Sequence, residues 1–266
     1  MTHAQPRAEL DRGRPAIQSL RHRASPRRLT ERMDDPDCDR ALLADALDAL
    51  AAANRFFGGQ RAVGERVEEI LAGTEPGPLR VLDVGAGGGD VSGRLGRALR
   101  RRGRVPRFVL ADVHAGVLEL CRERTRAIGG DTARHTTYVR LDGARLPFED
   151  DAFDIALSSA TLHHLDDSGA ARLLSELDRV SRLGWVVTDL RRSGATLLAV
   201  RLLASTLWRA RPYARADGPV SVRRSFTVPE VRRLLAEVGL ESTAVRARPV
   251  RWIASRHHPS AGAARA

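Results

Sequence analysis

The sequence contains no lysine, so all 44 of its basic residues are arginines. Its two cysteines, Cys38 and Cys121, are far apart, which excludes a disulfide framework and is typical of a reducing compartment. No apolar run reaches the roughly 18–20 residues of a membrane-spanning helix, and no apolar signal-peptide segment is evident. The sequence therefore predicts a cytoplasmic protein without a transmembrane span.

The positive charge is unevenly distributed along the chain. The formal net charge is +11, but residues 31–190 alone carry −5, whereas residues 1–30 carry +5 and residues 191–256 carry +10. Such a balance often indicates a nucleic-acid or membrane partner. Because every basic residue is arginine, and alanine and glycine are abundant, we interpret the excess as coding bias. Aromatic residues make up only 4% of the chain, few for a protein that stacks on bases.

The distribution of polar and apolar residues divides the chain into segments. The predicted segments are a disordered basic tail (1–30), an N-terminal helical cap (31–74), a main domain (75–256) with a helical insertion (about 194–225), and a second disordered tail (257–266). An organelle transit segment at 1–30 is an alternative that Glu9 and Asp11 disfavour.

From residue 79 onward, strand-like runs alternate with helical patterns, which is typical of a doubly wound parallel sheet. Strands are predicted at 79–84, 107–112, 136–141, 153–158, 184–190, about 242–248 and about 250–255. Helices are predicted at 41–53, 60–72, 90–102, 115–128, 168–180, 195–210 and 227–238. The stretch that contains Pro212, Gly218 and Pro219 is predicted to be a loop.

A glycine-rich turn follows the first of these strands. The run 81–90 reads Val-Leu-Asp-Val-Gly-Ala-Gly-Gly-Gly-Asp, with a helical pattern beginning at Asp90. Glycine lets backbone approach a ligand closely and tolerates positive φ. The glycines are spaced Gly85-x-Gly87-x-Gly89, and Asp90 stands where a dinucleotide-binding fingerprint has its last glycine. The spacing therefore favours S-adenosylmethionine (SAM) over NAD.

Polar residues mark the ends of the next strands. Asp112 closes the second strand, where a carboxylate accepts hydrogen bonds from ribose hydroxyls. Asp142, followed by Gly143, comes just after the third strand, where an acid and a backbone N–H can bind the adenine edge. Ser158 ends the fourth strand, at the crevice where open α/β sheets bind ligands. Each acid alone is equally well a turn or capping residue, but their order along consecutive strands favours a nucleoside site.

Together these segments resemble class I SAM-dependent methyltransferases of the type that modifies small molecules. The matching segments are the glycine-rich motif at 81–90, the ribose segment Ala-Asp-Val-His at 111–114, Asp142 with Leu146-Pro147-Phe148, and the fourth-strand segment 154–165. The resemblance covers about residues 75–190. It implies a Rossmann-like, seven-stranded, mostly parallel sheet with helices on both faces, whose last strand is antiparallel and inserted.

The resemblance also implies the cofactor and its ligands. SAM is the expected cofactor and S-adenosylhomocysteine (SAH) the product. The cofactor-binding residues implied are Asp83, Gly85, Gly87, Gly89, Asp112, Val113, Asp142, Gly143 and Ser158.

His163 and His164 follow the fourth strand, near the expected position of the methyl group. Histidine is the natural general base at neutral pH, and a base assists when the acceptor is a phenol. Both histidines are therefore candidate catalytic residues, with a structural role in the loop as the alternative. No metal site is predicted, because the histidine pairs lack cysteine or glutamate at ligand spacing, and the acids at 34–39 are interpreted as turn and N-cap residues.

A weaker resemblance concerns the acceptor. The stretches 34–56 and 217–226 are similar to methyltransferases that accompany type III polyketide synthases and flavin hydroxylases, which implies O-methylation of a phenolic polyketide or phenolic lipid. The apolar helix at 195–210 is predicted to cover the pocket, to pack in the core or to form a dimer, and its flanking arginines permit weak membrane-surface contact. The protein is expected to be a monomer or homodimer without a nucleic-acid partner.

Three other functions remain open at this point. An RNA or protein methyltransferase would use the basic C-terminal third, but the sequence lacks an Asn-Pro-Pro-Tyr-type base-flipping motif. A SAM-binding protein without catalysis is the second alternative. An NAD-dependent oxidoreductase is the third, and the glycine spacing disfavours it.

Overall fold

A seven-stranded sheet forms the centre of the protein, which we describe from a computed structural model over residues 20–128, 133–143 and 145–258. Its strand order is β3-β2-β1-β4-β5-β7-β6. The first five strands are parallel, and β7 is inserted antiparallel between β5 and β6. This confirms the predicted Rossmann-like methyltransferase topology. The strands are β1 (Pro78–Val84), β2 (Val105–Asp112), β3 (Thr136–Arg140), β4 (Phe153–Ser159), β5 (Ser181–Leu190), β6 (Ala244–Ala247) and β7 (Arg251–His257).

Helices cover both faces of the sheet. Within the described residues they are α1 (Arg40–Phe56), α2 (Gly59–Ile70), α3 (Asp90–Arg101), α4 (Ala115–Ile128), α5 (Asp167–Val180), α6 (Gly194–Ser205), α7 (Pro212–Arg224) and α8 (Val228–Glu237), with short 3₁₀ turns at Arg32–Asp34 and Leu162–His164. A capping box formed by Thr227 and Glu230 stands at the start of α8, the helix predicted at 227–238.

Two apolar cores lie on opposite faces of the sheet, because successive side chains of a strand point in opposite directions. Trp185 and Trp252 belong to the core beneath α5 and α8. Their chain neighbours Val186 and Ile253 belong to the core beneath α2 and α3. Strands buried on both faces read as continuous apolar runs, which is why the sequence locates them well.

The segment around Pro212 corrects one prediction. The predicted loop with Pro212, Gly218 and Pro219 is helix α7. Pro212 stands in the first turn, where backbone N–H groups have no acceptor within the helix, so the absence of an N–H costs no hydrogen bond. Pro219 lies inside the helix, a position that normally breaks one. Tertiary contacts hold α7 in place, because the Asp217 carboxylate accepts the backbone N–H groups of Arg32 and Met33 at 2.9 and 3.1 Å.

Part of the predicted N-terminal tail packs against the main domain, which differs from the expected disorder of residues 1–30. Residues 1–19 lie outside the described part. The Ala24 N–H donates to the carbonyl of Arg223 at 2.9 Å. The guanidinium of Arg23 donates to the Leu165 carbonyl and lies 3.8 Å from the ring centroid of Phe226. These contacts bring residues 31–34 over the sheet.

At the other end of the chain, β7 extends to His257, and residues 259–266 of the second predicted tail lie outside the description. Among the described helices, none has the length and apolar character needed to cross a bilayer.

Candidate functional site

A cavity of about 700 Å³ opens at the carboxyl edge of the sheet. Its floor is formed by the turns after β1, β2 and β4, and its roof by the N-terminal 3₁₀ turn, α1, α6 and α7. Its volume lies in the range of small-molecule and cofactor sites. This cavity lies at the place where doubly wound sheets bind ligands.

The glycine-rich turn leaves one wall of the cavity without side chains. Gly87 has φ +55°, and a Cβ built there would meet nothing closer than Leu47 at 4.0 Å. Gly85 has φ +70°, and a Cβ there would lie 2.1 Å from Oγ1 of Thr161. Gly87 thus keeps ligand space open, whereas Gly85 permits close packing of the β4 loop.

Asp112 lies beside this turn. Its Oδ2 accepts the Gly87 N–H at 3.1 Å, and its Oδ1 accepts the His114 N–H at 3.0 Å. Burial raises the pKa of Asp112, and these two backbone N–H groups oppose the rise. A carboxylate oxygen has more than one lone pair, so both oxygens retain capacity to accept bonds from a ligand.

Asp83 ends β1 beneath the turn and is 1% exposed. Its Oδ2 accepts a hydrogen bond from Ser92 Oγ at 2.5 Å, while its Oδ1 has no partner among the described residues. Burial raises the pKa of Asp83 to about 7. Buried polar atoms are normally hydrogen-bonded, so this oxygen is suited to accept a hydrogen bond from an N–H or O–H group of a ligand.

A group of charged side chains also lines the cavity. His163 is 3% exposed, and its Nδ1 lies 2.8 Å from Oδ1 of Asp189. Its Nε2 lies 3.5 Å from Oε1 of Glu31, which is 4% exposed. Burial lowers the pKa of His163, but the carboxylates of Asp189 and Glu31 outweigh it and raise the pKa to about 10. His163 is therefore an imidazolium at neutral pH.

A second histidine–carboxylate pair lies next to the first. Nδ1 of His164 is 3.0 Å from Oδ1 of Asp34. Nη1 of the buried Arg224 lies 3.0 Å from Oδ2 of Asp34 and 3.3 Å from Oε1 of Glu31. The His164 and Arg224 partners hold the pKa of Asp34 well below its usual value against the effect of burial. Asp34 is thus ionised and orients the imidazole of His164.

Another part of the cavity wall is apolar. The side chains that line it come from the N-terminal segment, α1, the β4 and β5 loops and α6; they include Met33, Leu47, Leu50, Phe57, Leu165, Leu190, Val200 and Trp208. The cavity therefore has a polar cradle at the glycine turn, a charged cluster at the histidines, and an apolar chamber beside that cluster.

Most of the residues predicted from the sequence meet in this cavity. Those that line it are Asp83, Gly85, Gly87, Asp112, Val113, Asp142, Gly143, His163 and His164. Gly89 does not; it begins α3 at φ +74°, packed against Cys121. Ser158 does not either, since it is buried and the next residue, Ser159, faces the cavity. The offset of one residue reflects the alternation of side chains along a strand.

The sequence analysis did not identify several charged residues of the site. Glu31, Asp189, Arg224 and Arg251 are buried and line or adjoin the cavity. Each stands in a segment without a motif of its own. The one available signal was Asp189, an acid at the end of an apolar strand like Asp83 and Asp112.

Comparison with known proteins gives a consistent result. A family profile described as a methyltransferase domain matches residues 81–184. The chain is similar to the ubiquinone/menaquinone biosynthesis C-methyltransferase UbiE of Vibrio vulnificus, with 33% identity over 127 residues that cover 48% of this chain and 46% of the relative. The chain thus spans about half the length of the curated relatives it matches.

Solved structures share the fold. A SAM-dependent methyltransferase from Aquifex aeolicus has a TM-score of 0.50 and 20% identity, covering 72% of this chain and 87% of that chain. A putative O-methyltransferase from Nostoc punctiforme has a TM-score of 0.55 and 16% identity, covering 80% of this chain and 60% of that chain.

Proposed function

We propose that the chain, whose residues 81–184 match the methyltransferase-domain profile, is a SAM-dependent methyltransferase that transfers the methyl group of SAM to the hydroxyl oxygen of a phenolic small molecule. The observation that carries the proposal is the single cavity of about 700 Å³ that joins the glycine cradle to an apolar chamber beside two histidine–carboxylate pairs. We propose a phenolic polyketide or phenolic lipid of secondary metabolism as the acceptor.

The residues of the cradle fit the cofactor. Gly87 leaves room for the nucleoside, and the Asp112 carboxylate is placed to accept the ribose hydroxyls. Asp142 and Gly143 also line the cavity, and we assign them to the adenine, while the unpartnered Oδ1 of Asp83 suits a hydrogen-bond donor of the cofactor. When bound, SAM supplies a methyl group already activated by its positively charged sulfur.

The chamber fits an acceptor that is largely apolar. Leu50, Phe57, Leu190 and Trp208 would bury an aromatic ring and exclude water from the reacting atoms. Because the donor is already activated, the protein's main contribution is to align the acceptor oxygen with the methyl group.

A phenol must also lose its proton, since phenolate is the better nucleophile. His163 is already protonated and held between Asp189 and Glu31, so it is suited to stabilise a developing phenolate. We assign the proton acceptor to His164, whose Nδ1 is held by Asp34 and which is 28% exposed towards the cavity side of the loop. The two adjacent histidines thus have different roles.

Methylation of a ring carbon is the second candidate, favoured by the relatives of 31–33% identity that are named C-methyltransferases. Deprotonation of a phenol also makes its ortho and para carbons nucleophilic. The same residues would then act, and after methyl transfer the methylated ring carbon would also have to lose its proton to restore the aromatic ring.

The outer face of α6 is consistent with a lipid-like acceptor. Leu198 and Leu202 are 61% and 57% exposed, and Arg201 lies between them. The inner face of the same helix contributes Val200 to the chamber. We propose that weak contact of this face with a membrane surface gives an alkylated acceptor access to the site.

The function is tested with methyl-labelled SAM and three acceptor pools: phenolic small molecules and lipids, total RNA, and protein. We expect label in the organic phase, and mass spectrometry and NMR of the product distinguish O-methyl from C-methyl. His164→Ala should reduce transfer roughly 100-fold, the scale of a general base, with SAH affinity unchanged. His257→Ala, at the exposed end of β7, is the matched control.

The other outcomes contradict specific parts of the proposal. Label in RNA or protein would overturn the small-molecule assignment. Full activity of His164→Ala would remove its assigned role as the base. SAH binding without transfer to any pool would favour a non-catalytic SAM-binding protein.

A further inference from the structure

Arg251 begins β7 and is 3% exposed, yet it lines the cavity. Its Nη2 donates to Oδ1 of Asn54 at 2.9 Å, and its Nη1 lies 3.4 Å from Oγ1 of Thr188. Its Nε has no hydrogen-bond partner among the described residues. A Cβ on Gly59 would lie 2.6 Å from its guanidinium, so the start of α2 packs directly onto this side chain.

Arg251 differs from two other buried arginines, Arg224 in the site and Arg192 outside it. Arg224 pairs with Glu31 and Asp34, and Arg192 pairs with Glu230 at 2.6 Å. Within the described ranges, Arg251 has neutral hydrogen-bond partners only. Burial lowers its pKa, and the more distant carboxylates of Asp189 and Asp90 oppose this. Burying a guanidinium without an anion is costly, so the site suits an anionic ligand group.

The position of Arg251 in the fold indicates which anionic group of a ligand it would bind. Arg251 pairs in register with Leu190 at the carboxyl end of β5, and its partner Asn54 lies at the end of α1. Asp90 stands in the first turn of α3, directly after the glycine-rich turn, and accepts a hydrogen bond from Gln60 at 2.6 Å. Both Arg251 and Asp90 line the cavity. Asp90 follows β1 and Arg251 begins β7, and in the strand order β7 lies on the other side of β1 from β2, which carries Asp112.

We propose that Arg251 binds the α-carboxylate of the amino-acid part of SAM and that Asp90 receives its α-ammonium group. A guanidinium presents a planar fork that matches a carboxylate, and Asn54 and Thr188 fix its orientation. The amino-acid part of SAM is a zwitterion, so its negative carboxylate would face the positive Arg251 and its positive ammonium group the negative Asp90. The proposal rests on the SAM assignment made under the proposed function, and it extends that assignment to Arg251, which lies outside every motif of the sequence.

The test compares ligands that share the nucleoside. SAH carries the complete amino-acid part, decarboxylated SAH retains the ammonium group alone, and 5′-methylthioadenosine lacks both. Calorimetric titration of the unmodified protein should give clearly tighter binding of SAH than of the other two. Arg251→Met should weaken SAH binding roughly 10- to 100-fold, the scale of a lost charged hydrogen bond, and leave the affinities of the other two ligands unchanged.

Two further variants make the result specific. Arg251→Lys keeps the charge and should retain part of the preference for SAH. Arg246→Met, on the exposed surface of the neighbouring strand β6, is the matched control and should bind all three ligands normally. If Arg251→Met does not fold, Arg251→Lys decides the proposal: it should lose part of the preference for SAH over decarboxylated SAH and bind 5′-methylthioadenosine normally, and an unchanged preference would overturn the role of Arg251.

The outcomes separate this proposal from the proposed function. Equal affinity of the unmodified protein for SAH and decarboxylated SAH would overturn the role of Arg251. Equal loss of SAH and 5′-methylthioadenosine binding in Arg251→Met would indicate a merely structural residue. Failure of every nucleoside to bind would instead overturn the SAM assignment. A preference for SAH that Arg251→Met abolishes, without methyl transfer to any acceptor, would leave Arg251 assigned and remove the catalytic function.

Discussion

The Nδ1 atom of His163 lies 2.8 Å from Oδ1 of Asp189, at the centre of a buried group of charges. The His163 backbone N–H also donates to Oδ2 of Asp189 at 3.0 Å. One carboxylate therefore holds both the ring and the backbone of the loop after β4. This contact links the carboxyl ends of β4 and β5 and fixes the position of the two histidines.

We expect Asp189→Asn to destabilise the protein by about 3–5 kcal/mol, because it leaves a buried imidazolium without its main partner. The pKa of His163 is raised to about 10, above its value in the unfolded chain. Its contribution is therefore complete below about pH 6.5 and is lost as the pH rises towards 10. Urea unfolding of the unmodified protein at pH 6, 8 and 9.5 should show this loss, and the variant should show a flatter dependence.

Glu65→Gln serves as the control, since Glu65 forms an exposed pair with Arg61. It should change the free energy of unfolding by about 0.5 kcal/mol or less. Equal effects of Asp189→Asn and Glu65→Gln would show that the His163–Asp189 pair does not stabilise the fold.

Asp83→Asn should stabilise the ligand-free protein above neutral pH. Burial raises the pKa of Asp83 to about 7, above its unfolded value near 4. Ionisation of this group therefore opposes folding, and the free energy of unfolding falls as the pH rises from about 4 to 7. One pKa unit corresponds to about 1.4 kcal/mol, and the pKa of Asp83 is raised by about three units. Removing the ionisable group should therefore increase the free energy of unfolding at pH 8 by up to about 4 kcal/mol. Chemical denaturation at pH 5 and pH 8 measures the difference, and a variant less stable than the unmodified protein at pH 8 would contradict it.

Asp112→Ala should weaken SAH binding by about 1–3 kcal/mol, because it removes a charged hydrogen-bond acceptor from a mostly buried site. The backbone groups of Gly87 and His114 also lose their partner. Calorimetry gives the affinity, with Asp150→Ala at the exposed surface as the control. Unchanged affinity would mean that Asp112 does not contact the ribose.

Gly87→Ala should reduce SAH affinity, because the added methyl group enters ligand space. Its positive φ also costs about 1 kcal/mol of stability for a residue with a Cβ. Gly73 has φ +77° and open space around it, and it does not line the cavity. Gly73→Ala should therefore lose about as much stability as Gly87→Ala but bind SAH with normal affinity. Equal SAH affinities of the two variants would place Gly87 outside the binding site.

The strands and the glycine-rich turn were predictable because their signals are local. The apolar run of β4 and the spacing of Gly85 and Gly87 are visible in a few consecutive residues. Helix α7 was not predictable, since Pro212 and Pro219 locally indicate a loop. Its helical state depends on Asp217, whose partners Arg32 and Met33 are more than 180 residues away.

The sequence by itself determined the order of strands and helices, the acids at the strand ends and the glycines that open the cavity, because each depends on neighbours along the chain. Only the tertiary structure decided which buried charges meet. Glu31, His163 and Arg224 come from three distant segments and are joined over a few ångströms, and Arg251 lines the cavity with neutral partners only. Pairing and burial set the protonation states and ligand preferences of these groups, and neither can be obtained from spacing along the chain.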